Sequence, residues 1–227
     1  MEPEEDCQRA RRAGARRRKG RGREVHAQAA RATAAAAFET WGTFVRNHAV
    51  GTIAIDFLTV PTVTFRVLYV FFALSLARRR VIHVNVAEYP TAEWAAQQIV
   101  EAVGPDAAFT RLIRDRDAIF GAAFDRRVEN LGLKQFRTAP RSPWQNGFAE
   151  RWVGTARREL VDHVIVLGEH HLRRMLREYA RYYDADRPHM SLAGDAPAHR
   201  VLEPPSMGRV VAIPKRGGIH HRYSRAA

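Results

Sequence analysis

Three carboxylates in this sequence stand where a fold could bring them together. Asp56 falls late in the run VGTIAIDFLTV (50–60), Asp115 closes FTRLIRD (109–115), and Glu150 lies just behind the turn signal SPWQNG. Two of these segments read as strands and the third as the start of a helix after a loop, so all three acids can meet at one edge of a sheet. Carboxylates crowded at one edge repel one another, and a divalent cation with oxygen ligands, Mg²⁺ or Mn²⁺, would neutralise them. Two such ions would activate an attacking oxygen and stabilise a leaving one, which is the chemistry of phosphoryl transfer. Taken singly, an Asp in a strand or a Glu in a helix is more often a surface residue or a cap, so the weight rests on the combination. Asp117, two residues beyond Asp115 in RLIRDRDAIFGAAF (111–124), is a second acid at the same place and leaves open which of the pair serves.

The elements that must position these acids are legible from periodicity. Residues 50–60 alternate, with Ile53, Ile55 and Phe57 on one side and Thr52, Ala54 and Asp56 on the other, as in a strand with two unlike faces. TFRVLYVFFALSL (64–76) is apolar on both faces, as a central strand covered by helices would be, and RRVIHVNVAEY (79–89) returns to alternation. PTAEWAAQQIVEAVG (90–104) opens with Pro and Thr, closes with Gly and predicts a helix. Beyond it come a strand over 109–115, a helix over 124–133, a strand over 134–140, a long helix over 146–166 and another over 169–183. The order βββαβαβαα predicts an α/β fold built on a mixed five-stranded sheet flanked by helices.

Composition bounds the partners. At 227 residues with 46% hydrophobic side chains the chain can bury a sizeable core. A net charge of +13 favours a polyanion such as nucleic acid or an anionic membrane surface. The most apolar run, VLYVFFALSL (67–76), is far short of the ~20 residues that span a bilayer and is closed by Arg78, Arg79 and Arg80, so no membrane partner is expected. One cysteine, Cys7, excludes a disulfide framework and fits a reducing cytoplasm. The paired histidines His170-His171 and His220-His221 lack the spacing and the Cys partners of a zinc site. Residues 1–39 form a basic, low-complexity arm expected to be disordered. Its stretch 9–23 carries nine Arg and Lys and no acid, and is open to two readings: a counterion-releasing DNA contact, or a solvated segment without a role. The core is expected over 40–200 and a basic tail over 201–227, with a short β-like segment at Val210 to Ile213.

Three pieces of the sequence, IAIDF (53–57), IRDRDAIFG (113–121) and APRSPWQNGFAERWVGTARREL (139–160), together resemble the catalytic core of the DDE transposase and retroviral integrase superfamily. The likeness is to insertion-sequence transposases with an Asp-x-Gly-x-x-Phe signature followed by Ser-Pro-x-x-Asn-Gly-x-x-Glu-Arg. It spans roughly residues 41–205, and it implies a ribonuclease H-like fold and a metal-dependent polynucleotidyl transferase. Carried over residue by residue, it places the catalytic and metal-binding acids on Asp56, Asp115 and Glu150, with Mg²⁺ or Mn²⁺, two ions, as cofactor. The family's phenylalanine, five residues past its second Asp, falls on Phe120 when counted from Asp115; counted from Asp117 it would fall on Ala122. Asp117 stands where relatives carry glycine, and either caps the loop or hydrogen-bonds the acid beside it. The resemblance further implies DNA as partner, element ends and target, and work as a homo-oligomer on DNA in a bacterial cytoplasm, associated with the nucleoid. No helix-turn-helix is recognisable ahead of residue 40, which keeps open a second reading: a DNA-binding remnant or regulator that no longer joins strands. A nuclease acting on RNA–DNA hybrids would share the acids but leaves SPWQNGFAER unexplained.

Basic and polar residues around the acids complete the expected site. Gln145, Asn146, Arg151, Arg157, Arg158, Lys134 and Arg141 are candidate DNA contacts, with Asn146-Gly147 expected to form a tight turn at positive φ. Gly154, on the face of Glu150, would allow close approach to the sheet or to DNA. Trp144 and Trp152 suit either base stacking or burial.

Overall fold

The computed structural model describes residues 41–105, 108–215 and 218–226, so the basic arm lies outside the described residues. The chain divides into two units, Met1–Asn47 and His48–Ala227. Of the first unit the described residues are helical, part of α1 (41–48), where the rings of Trp41 and Phe44 stack at 5.5 Å. All that follows concerns the second unit.

Five strands form its sheet: β1 (Thr52–Pro61), β2 (Val67–Ser75), β3 (Arg80–Ala87), β4 (Arg111–Arg114) and β5 (Lys134–Arg137). They run in the order β3-β2-β1-β4-β5. The first three strands are a meander, β1 with β2 and β2 with β3 antiparallel, while β4 lies parallel to β1 and β5 parallel to β4. The helices are α2 (Ala92–Val103), α3 (Ala122–Asn130), α4 (Gly147–Glu159) and α5 (Glu169–Ala185). The succession βββαβαβαα of the sequence reading therefore holds.

Each element follows from its residues. Helix α2 starts where Thr91 accepts a hydrogen bond from the Trp94 amide and stops at Gly104, whose φ of 61° suits glycine. β2 is buried on both faces, as a strand inside a covered sheet must be. β1 departs from expectation in the same sense. It sits at the centre of the sheet, and residues of both its faces, Ile53, Ile55, Ala54 and Leu58, are buried. One face packs Ile53, Ile55, Phe71 and Leu112 against Ile99 of α2 and Phe124 and Val128 of α3. On the other, Phe72 of β2 meets Trp152 of α4 with ring centroids 4.2 Å apart.

One expectation is corrected. The long helix expected over 146–166 ends at Glu159 because Leu160, fully buried, leaves helical geometry at φ −137° and ψ −67°. Beyond it a single turn, Val161–His163, leads into an extended run where the Val63 amide donates to the Val166 carbonyl. The β-like segment expected at Val210 to Ile213 lies within β6 (Arg209–Lys215), which pairs antiparallel with β7 (His220–Ala226) as a hairpin. The hairpin is anchored on α5, where the ring of His220 stacks on Tyr182 at 4.5 Å and its Nε2 lies 2.8 Å from the Glu159 carbonyl.

Candidate active site

β1 and β4 share a register offset of 59, Thr52 facing Arg111 and Ala54 facing Ile113. Continued by two residues, that offset sets Asp115 level with Asp56. Strand alternation puts Ile55 and Phe57 toward α2 and α3, so Asp56 projects from the opposite face, the one covered by α4. The start of α4 is tied to the same spot, since Asn146 Nδ2 donates to the Ile55 carbonyl at 3.0 Å. Glu150 is four residues further on, one turn along the same helix face.

The electrostatics agree with that layout. Burial is the largest influence on the Asp56 carboxyl, and the negative charges of Asp115, Glu150 and Asp117 add to it. Together they outweigh the hydrogen bond from the Phe57 amide, 2.8 Å, and push the group up to about 7. Asp115 is raised as well, by burial first and then by the charge of Asp117, against the bond that the Asp117 amide donates to its Oδ1 at 3.1 Å. Four acids thus share one neighbourhood, at a cost to Asp56 and Asp115. By donor type this set fits a hard divalent cation, whose charge would remove the cost. Among the described residues, no three His, Cys, Asp or Glu side chains are drawn together tightly enough to hold an ion as they stand.

Asp117 shapes the loop itself. Its Oδ1 accepts from the Ile119 amide at 2.9 Å and its carbonyl from the Phe120 amide, which is the work of a cap, while its charge also acts on both neighbouring aspartates. Phe120 closes the loop on the core, 5.3 Å from Phe57 and 4.8 Å from Phe124.

The residues expected to touch DNA fare unequally. Asn146 is 4% exposed and bonded to β1, and its φ of −110°, with −58° at Gly147, rules out the positive-φ turn. Its Nδ2 pins α4 to β1, while its Oδ1 is buried with no hydrogen-bond partner. Gln145 Oε1 accepts from the Ala139 amide at 2.6 Å and braces the loop. Arg141, exposed, takes the left-handed conformation instead, at φ 57°. Arg151 and Arg158 are exposed on α4, and Arg157 Nη2 donates to the Thr59 carbonyl at 3.0 Å. A Cβ at Gly154 would meet only the Arg158 guanidinium, at 3.1 Å, so no close approach to the sheet depends on that glycine. Lys134 pairs with Arg111 at the far end of β4, about 13 Å along the strand from the acids, and covers the Phe136 ring. Trp152 is 1% exposed and belongs to the core; Trp144 is 53% exposed.

Sequence reasoning missed Arg114. This residue, 2% exposed, donates to Gln135 Oε1 (3.0 Å), the Asp115 carbonyl (3.0 Å) and Asp125 Oδ1 (2.7 Å), and lies over the rings of Phe120 and Phe124. Asp125 also receives Arg137 at 2.6 Å. The backbone on which Asp115 is mounted is therefore fixed by a buried cation. The signal was present in the strand period, which puts Arg114 on the same face as buried Leu112, but an Arg at a strand end is read as solvated by default.

Comparison with known proteins bears on the same region. The integrase core domain family matches residues 131–197, the stretch that holds Glu150, SPWQNG, α4 and α5. No curated protein matches the chain. Among solved structures it is similar to the simian T-cell lymphotropic virus intasome in complex with PP2A regulatory subunit B56 gamma. That likeness has a TM-score of 0.53 and 11% identity over 77% of this chain, which spans 66% of that one. It is similar also to the catalytic core domain of BIV integrase, at 17% identity and TM-score 0.48, covering 66% of this chain and 91% of that one. The family match is confined to that segment, under a third of the chain, and the likeness to the intasome is one of fold.

Proposed function

We propose that this chain carries a DNA transposase or integrase core: a metal-dependent polynucleotidyl transferase that hydrolyses a phosphodiester at an element's end and then joins the freed 3′ hydroxyl to target DNA. The observation that carries the reading is the parallel pairing of β1 with β4, whose register extended by two residues sets Asp115 level with Asp56, with the start of α4 tied to Ile55 beside them. Asp56, Asp115 and Glu150 would hold the divalent cation, Mg²⁺ or Mn²⁺. Such an ion, when bound, polarises the scissile phosphate and lowers the pKa of the attacking oxygen. The chain's own residues do the rest. Arg114 and the Asp117 cap keep the Asp115 loop in place, and Asn146 holds α4 so that Glu150 faces the sheet edge. Exposed Arg141, Arg151 and Arg158 would meet phosphates flanking the cut, while Arg157, Lys134 and Gln145 have the weaker claim because of their other contacts. DNA is the partner, bound as element ends and target, and a homo-oligomer would bring two ends together.

Disintegration of a branched DNA that mimics the integration product tests this, with Mg²⁺ or Mn²⁺ present. We expect wild type to be active, Asp56→Asn, Asp115→Asn and Glu150→Gln to lose at least ~10³-fold, and Asp117→Asn to stay within about tenfold. DNA binding without nicking or joining by the wild type would sink the enzyme reading and leave a DNA-binding remnant. Cleavage of an RNA–DNA hybrid in preference to joining would make it a hybrid nuclease.

A further inference from the structure

Between α4, the turn that joins β2 to β3 and the residues after α5 lies a cavity of about 260 Å³. Its walls include Arg79, Arg151, Arg187 and His189, with the hydroxyl residues Thr155 and Ser191, and among the described residues no Asp or Glu lines it. Three guanidinium groups without an acid in the wall is an unusual concentration of charge for so small a space.

The three are not equivalent. Arg187 is compensated from outside the cavity by Glu159, with bonds of 2.7 to 3.0 Å from Nε and Nη2. Arg79 and Arg151 have no acidic partner within ion-pair distance among the described residues. Arg79 is also held ready. Its backbone takes φ 62°, a costly conformation for a side chain other than glycine, and its guanidinium lies 5.2 Å from the centre of the Phe148 ring. Desolvation lowers its affinity for a proton, and the nearby charge of Arg151 lowers it further. His189, 6% exposed, supplies an independent sign: its Nε2 is buried and has no hydrogen-bond partner, while burial first and then the guanidinium groups of Arg187 and Arg79 disfavour its charged form. A strained arginine, a second arginine without an acidic partner and an imidazole with one unpartnered nitrogen make a wall that lacks its counter-charge.

We propose that this cavity is a phosphate-binding site, with Arg79 and Arg151 as its two forks. Guanidinium geometry matches the oxygens of a phosphate in pairs, which an ammonium cannot do, and the small volume takes a phosphate group with little more than a sugar attached. The phosphate has two possible sources, a free phosphate or nucleotide in solution and a phosphate of a nucleic-acid strand. The site rests on this wall alone and stands whether or not the acids at the sheet edge join DNA.

The test is titration calorimetry of the full chain with inorganic phosphate, at constant ionic strength set by sodium chloride. We expect saturable binding that weakens about tenfold or more in Arg79→Gln and in Arg151→Gln, less in Arg79→Lys, and is unchanged in Arg174→Gln, an exposed arginine of α5 outside the cavity. Since Arg79 sits in a strained turn, the wild-type melting temperature gives a second reading. It should rise with phosphate and not with chloride at equal ionic strength. Short single-stranded DNA, with and without a 5′ phosphate, separates the sources. Preference for the phosphorylated end, lost in Arg79→Gln, assigns a terminal phosphate; equal loss with both strands assigns the backbone; no effect on either assigns a free anion. Wild type that shows neither saturable phosphate binding nor a phosphate-specific rise in melting temperature overturns the proposal, as does undiminished binding by a folded Arg79→Gln.

Discussion

Two partly buried carboxylates meet opposite treatment in this molecule. Asp56, on the central strand, has other acids for neighbours and a single backbone amide for support, and its proton affinity is driven up to about 7. For Glu159, at the end of α4, burial pushes the same way, but Arg187 and the Tyr179 hydroxyl at 2.9 Å outweigh it and hold the group below its ordinary value. The Glu159 cluster knits together α4, α5 and, through the Glu159 carbonyl, the hairpin at His220. One site spends stability to gather charge and the other converts charge into stability. That difference separates a place built to receive a ligand from one built to hold the fold.

The comparison breaks most visibly at Glu159. Arg187→Leu removes its cation and leaves a half-buried carboxylate with one hydroxyl, so we expect a loss of about 3 kcal/mol at pH 7 by chemical denaturation. Because the folded-state affinity of Glu159 for its proton is lowered, its contribution is in full force above the unfolded value of 4.5 and disappears as pH falls through the folded one. The variant and wild type should therefore converge in acid. A difference that persists unchanged at pH 3 would mean that Arg187 acts by packing.

Asp56 should show the reverse sign. Its proton affinity is raised on folding, so ionisation costs the native state nothing below 3.8, costs more with each step toward 7, and reaches its plateau above that. The full shift corresponds to ~4 kcal/mol at 1.36 kcal/mol per unit, and relaxation of the exposed neighbours reduces it. We expect Asp56→Asn to stabilise the protein by about 2 kcal/mol at pH 8 and by almost nothing at pH 4. Millimolar Mg²⁺ should raise the melting temperature of wild type and not of the variant. A neutral or destabilising Asp56→Asn at pH 8 would show that the acids do not burden one another.

How much of this was visible beforehand depended on whether the signal was local. The strands of the meander and the capped α2 are carried by short runs of residues, and they read correctly. The break of α4 at Leu160 did not, because a leucine that leaves the helix to fill the core looks in sequence like one that continues it. β7 has no apolar period at all, HHRYSRA, and exists because β6 supplies hydrogen bonds and Tyr182 a ring to stack on. Arg114 and Asn146 share that obscurity. Both are polar residues whose partners lie far along the chain, Asn146 with Ile55 and Arg114 with Gln135, and nothing nearby announces that they are buried.

Asn146 gives the next smaller effect. Asn146→Ala removes the bond to the Ile55 carbonyl and leaves that acceptor unpaired in the core, for a loss of about 1–2 kcal/mol. If Asn146 positions α4 rather than binding DNA, strand joining should fall while affinity for DNA is kept. A drop in DNA affinity equal to the drop in joining would return Asn146 to the set of direct contacts.

The smallest effect concerns Asp117, where the two treatments of charge meet in one residue. Its Oδ1 caps the Ile119 amide, which stabilises the loop, and its charge burdens Asp56 and Asp115, which does not. Asp117→Asn keeps a capping oxygen and removes the charge, whereas Asp117→Ala removes both. We expect the asparagine variant to match or slightly exceed wild-type stability at pH 8, by less than ~0.5 kcal/mol, and the alanine variant to lose about 1 kcal/mol. That order, measured by denaturation at pH 8, isolates the cap from the charge. If the two variants are equally destabilised, the charge at residue 117 supports the loop, and the acidic edge then contains one carboxylate that its neighbours do not oppose.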